Sequence, residues 1–86
     1  MNDNDMQLLI LGALLDYGAL PYGTPVTRDD LLAWVPLAED DLDFNIRALE
    51  ALGFVTAEKD AAGRPSRVRL SQAGFLFVTA FRPRSS

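Results

Sequence analysis

Hydrophobic positions recur along this chain with two periods, and the change from one to the other marks its elements. Met6, Leu9, Ile10, Ala13, Leu14 and Tyr17 form a stripe at helical spacing, with Leu8, Leu11 and Leu15 as a second stripe beside it. This predicts a first helix over 5–17, capped by Asp3 or Asp5 and stopped at Gly18. An apolar surface so wide belongs to a helix at the centre of the fold, or to one that is half core and half partner contact. Pro21, Gly23 and Pro25 forbid helix in the next stretch, which reads as a loop with a short extended piece at Val26. Thr27-Arg28-Asp29-Asp30 carries a capping pattern for a second helix. Leu31, Leu32 and Val35 face inward there, and Pro36 ends the helix at Trp34 or Val35. A third helix is predicted over 38–52 from Leu42, Ile46, Leu49 and Leu52, with Gly53 as its left-handed terminus.

Beyond Gly53 the period falls to two. Residues 54–58 read as a strand, 60–65 as a turn with its tip at Gly63, and 66–70 as a second strand. Ser71 caps a last helix over 72–81, which carries Phe75, Leu76, Phe77, Val78 and Phe81 and is closed by Pro83. The termini, 1–4 and 82–86, are expected to fray. The predicted fold is α+β, mainly α, in one domain over 1–86. Its order α-α-α-β-β-α is that of a winged helix-turn-helix with a two-stranded wing hairpin.

Composition narrows the chemistry. The 86 residues include no cysteine and no histidine, which excludes a disulfide framework, a cysteine nucleophile, a histidine base and the usual zinc ligands. The longest apolar run, 8–15, is too short to span a bilayer, and the acidic start is not expected to act as a signal peptide. The expectation is a cytoplasmic protein that is not an enzyme and needs no cofactor. Its net charge of -4 conceals an asymmetry: residues 1–62 hold all 12 acids against three bases, a net of -9, and residues 63–86 hold five arginines and no acid.

Three short segments resemble winged-helix regulators of the MarR and PadR type. Leu49-Glu50-Ala51-Leu52-Gly53-Phe54-Val55 resembles the "Leu-Glu-x-x-Gly-Leu-Ile/Val" that ends their third helix. Asp60-Ala61-Ala62-Gly63-Arg64-Pro65-Ser66-Arg67-Val68-Arg69-Leu70 resembles their wing, and Leu70-Ser71-Gln72-Ala73-Gly74 their "Leu-Thr-x-x-Gly". The likeness covers about 27–80, in the same order. It implies DNA binding, with the third helix in the major groove and the wing on a phosphate backbone. The groove-facing positions would be about Ala38, Asp40, Asp41, Asp43, Phe44 and Arg47, where the family usually carries Ser, Thr, Arg or Lys. This helix instead holds Glu39, Asp40, Asp41, Asp43 and Glu50 against Arg47. Such a face is repelled by a polyanion. Acids at a helix start complement its dipole, which accounts for one or two of Glu39, Asp40 and Asp41 but not for Asp43.

The candidate residues have competing readings. Arg64, Arg67 and Arg69 grip phosphates, or they balance an acidic body and keep a sheet edge soluble. Phe44 packs on a flank of the core, or it stands out as an anchor for a protein partner. Trp34 is expected in core or loop packing. Asp40, Asp41 and Asp43 lack the glycine-bearing loop and closing acid of a calcium site, so they read as a solvated face and no metal is expected. The second stripe of the first helix and the phenylalanines of the last form a homodimer interface, or the first helix is simply buried from two sides.

Two functions remain open. One is a small transcriptional regulator that binds duplex DNA through Arg47, Arg64, Arg67 and Arg69. The other is a winged-helix fold used as an acidic protein-binding module, with Glu39, Asp40, Asp41, Asp43 and Phe44 meeting a basic protein partner. Small phage-encoded inhibitors that mimic DNA, or of the anti-CRISPR type, are similar in size and acidity.

Overall fold

Asn2 begins the first helix: its side chain accepts the Asp5 amide at 2.9 Å, and α1 runs Asp3–Asp16. The cap is thus Asn2 rather than Asp3 or Asp5, which lie inside the first turn and complement the helix dipole. The structure is a computed structural model and describes residues 2–81. After α1 come β1 (Val26–Thr27), α2 (Arg28–Trp34), α3 (Glu39–Ala51), β2 (Val55–Lys59), β3 (Pro65–Leu70) and α4 (Gln72–Phe81). Pro83, expected to close α4, lies outside the described residues.

Five successive residues of α1, from Ile10 to Leu14, are buried. A helix can bury every side of a turn only when elements surround it, and α1 packs against α2, α3, α4 and β3. Both apolar stripes therefore feed one core, with Ile10, Ala13 and Leu14 from the first and Leu11 from the second. Leu9 and Tyr17 of the first stripe stay partly exposed.

The sheet departs from expectation. It has three antiparallel strands in the order β1-β3-β2, not two, because Val26 pairs with Val68 and Thr27 with Arg67. The extended piece at Val26 thus becomes an edge strand, and Thr27 ends it while capping α2, its hydroxyl accepting the Asp30 amide at 3.2 Å. Val55, Val68 and Leu70 turn inward onto the helices. Gly53 and Gly63, with φ of +80° and +81°, turn the chain at the end of α3 and at the hairpin tip.

Ser71 caps α4 through the Gly74 amide at 3.0 Å. A Cβ on Gly74 would lie 1.8 Å from the Phe54 carbonyl oxygen, so only glycine lets α4 lie this close to the start of β2. Two hydrophobic residues at helix ends stand outside the core. Leu52 is exposed past the end of α3, and Trp34 is exposed at the end of α2, where it packs on Tyr17 with ring centroids 4.8 Å apart.

Candidate nucleic-acid interface

α2 and α3 form the helix-turn-helix, joined through Pro36 and Leu37. Leu42, Asn45, Ile46 and Leu49 face the core. At 100° per residue the opposite side of α3 presents Asp40, Phe44, Arg47 and Ala51, all exposed. Phe44 is 60% exposed, so of its two readings the packed one, on the core flank, does not hold. The flank is taken by Asn45, whose amide donates to the Asp41 carbonyl at 2.9 Å while its oxygen accepts from Gln7 at 3.2 Å. Among the described residues no buried side-chain polar atom lacks a partner.

The acidic helix is partly neutralised from within. Arg28, the first residue of α2, reaches Asp43 in a forked contact, Nε to Oδ1 at 2.7 Å and Nη2 to Oδ2 at 3.0 Å. Both side chains are only 13% exposed. A planar guanidinium matches a carboxylate in this geometry, and the hydrogen bond to Asp43 holds the Arg28 pKa above its already high value. Glu39 lies 3.5 Å from the same guanidinium. Glu50 pairs with Lys59 of β2. Asp43, which dipole complementarity left unexplained, is thus one half of the link between the two helices. Asp40 and Asp41 remain exposed, their carboxylates unpaired among the described residues.

At the hairpin tip one carboxylate organises the turn. Asp60 Oδ1 accepts the amides of Ala62 and Arg64, each at 2.9 Å. The bond from the Arg64 amide first of all, with that from Ala62 adding to it, holds the Asp60 carboxyl below its ordinary value against the opposing effect of desolvation. The Arg64 side chain stays near it, Nε 3.5 Å from Oδ2, and is about half exposed. Arg47 leans across from α3 and donates to the Gly63 carbonyl at 3.3 Å. Two arginines distant in sequence therefore meet where the outer face of α3 meets the wing.

The four predicted arginines do not form one patch. Arg67 and Arg69 stand on the outer face of the sheet, beside Thr56 and Glu58. Arg69 is half-buried and braces the fold, approaching Thr56 Oγ1 at 3.4 Å and the Gly23 carbonyl at 3.5 Å. Arg67 is exposed and carries no partner among the described residues.

An apolar groove lies elsewhere, between α1, the end of α3 and α4, lined by Leu8, Leu49, Leu52, Phe54, Phe77 and Phe81. Phe77 stacks on Phe54 at 4.6 Å and meets Phe81 at 4.8 Å. Among the described residues no group of three acids comes together as a metal site, and no helix is long and apolar enough to cross a membrane.

Helices, turn and hairpin together make a winged helix-turn-helix. A transcriptional regulator of the MarR family from Silicibacter pomeroyi has a similar solved structure: TM-score 0.67 at 23% sequence identity, over 86% of this chain and 46% of that one. The fold resemblance carried by the three sequence motifs is thus met in three dimensions, while this chain spans less than half the length of that regulator. No protein-family model and no curated protein matches the chain.

Proposed function

We propose that this chain is a small winged-helix regulator that binds duplex DNA with the outer face of α3 and the tip of the wing. The observation that carries this reading is the meeting of Arg47 and Arg64 at that tip, while Asp43 and Glu50 are drawn off by Arg28 and Lys59. Arg47 and Arg64 supply phosphate contacts from two elements, and Arg67 adds a third along the hairpin. Arg69 has a bracing part only. The similar structure is described as a transcriptional regulator, which agrees with this reading. The apolar groove between α1 and α4 offers a surface on which two copies pair, and pairing doubles the DNA contacts. No step of this function is catalytic.

The test is fluorescence anisotropy of a random duplex, in low salt and then near physiological salt. Micromolar binding that falls steeply with salt is the expected result. Absence of binding even at low salt would overturn the proposal.

One observation favours a second reading. Phe44 is 60% exposed and stands among the unpaired carboxylates of Asp40 and Asp41. An aromatic anchor with an acidic rim suits a basic protein partner. Phe44→Ala would then abolish capture of that partner, whereas Arg64→Gln would leave capture unchanged.

A further inference from the structure

Away from α3 and the wing, two aromatic rings stand open to solvent at the junction of α1 and α2. Tyr17 is 41% exposed and Trp34 55% exposed, with their planes inclined at 57°. The Tyr17 hydroxyl donates to the Asp30 carbonyl at 3.4 Å, which ties the end of α1 to α2. Asp30 precedes Trp34 by four residues, so its carboxylate sits one turn away on the same helix face. That carboxylate is exposed and has no partner among the described residues.

A flat apolar ring beside a free carboxylate attracts a flat cation. We infer that this patch docks an arginine-bearing segment of a protein partner, with the guanidinium stacked on Trp34 and hydrogen-bonded to Asp30. Charge complementarity fixes the occupant. No base lies between Asp29 and Ile46, and Arg28 is already held by Asp43, so no neighbouring cation of α2 or early α3 competes for the site. Arginine suits the ring better than lysine because its planar, weakly hydrated head stacks. The carboxylate repels phosphate, which separates this surface from the one proposed for DNA.

Trp34 is the chain's only tryptophan, so its emission reports the patch directly. The experiment titrates a hexa-arginine peptide into the full chain. A saturable change in emission is expected, with affinity weakened about threefold to fivefold by Asp30→Asn. Trp34→Leu, followed by calorimetry, should weaken binding to the same degree without touching the first turn of α2. Paired Asp3→Asn and Asp5→Asn substitutions, at the far end of α1 from Tyr17, should leave affinity unchanged. An unchanged emission would overturn the inference. So would an equal loss in this α1 variant, which would mean that the peptide follows net charge alone. A change in emission on diluting the chain by itself would place a second copy on the patch and also overturn it.

Discussion

Arg28 and Arg47 stand one on each helix of the helix-turn-helix, and their surroundings give them opposite parts. Arg28 is largely buried and grips Asp43 with both sides of its fork. Arg47 is exposed and holds one carbonyl at the wing tip. An arginine locked on a carboxylate in a partly dry site acts on stability, because either partner alone would leave an uncompensated charge. An arginine with one weak neutral acceptor loses little by turning to a phosphate. The same contrast divides the wing. Arg69 is half-buried and braces the loop at Gly23, whereas Arg64 is about half exposed beside Asp60. Counting arginines says little about a binding face until each has been asked what it already holds.

The largest break in this comparison comes from Arg28→Met. It leaves Asp43 without its partner, and urea denaturation should show a loss of about 2–3 kcal/mol. Adding Asp43→Leu removes the stranded charge and should restore most of that loss, leaving about 1 kcal/mol or less. If the double variant is as unstable as the single one, the link is not what holds α2 to α3. Arg47→Gln should change stability by under about 0.5 kcal/mol in the same assay, as for an exposed surface residue.

The smallest effect concerns acid. The Asp60 carboxyl is held below its ordinary value by the amides of Arg64 and Ala62. Its contribution to the turn is therefore complete above the unfolded carboxylate range and is lost as pH falls through the lowered value. Amide resonances of Ala62 and Arg64 should shift together at the acid end of an NMR titration and stay level above it. A shift confined to higher pH would contradict the turn described.

Much of the fold was legible because local chemistry dictates it. Thr27 and Ser71 cap the helices they were expected to cap, Pro36 follows the end of α2, and Gly53 turns left-handed after α3. The third strand was not legible, since two residues carry no period and Val26 gains its strand character only from Val68, far along the chain. Asn45 hid for a related reason: a polar residue on an apolar stripe reads as a gap until Gln7 of another helix satisfies it. The site was harder still. The pairing of Arg28 with Asp43 spans two helices, so the sequence displayed an acidic reading helix where the fold has a partly neutralised one. The sequence leaves Phe44 with two readings, core flank or exposed anchor, and its angle around α3, opposite Ile46 and Leu42, fits the exposed one. The one signal that could have found the clamp is Arg28 itself, a lone base at the acidic start of a helix, where the dipole disfavours it.

The most direct test of the account is the salt dependence of duplex binding by the native chain and by the paired Arg47→Gln, Arg64→Gln variant. If these two arginines meet phosphates at the wing tip, the variant binds more weakly and the slope of log affinity against log salt falls by about two. An unchanged affinity and slope would contradict the account, because the DNA would then be held somewhere other than where α3 meets the wing.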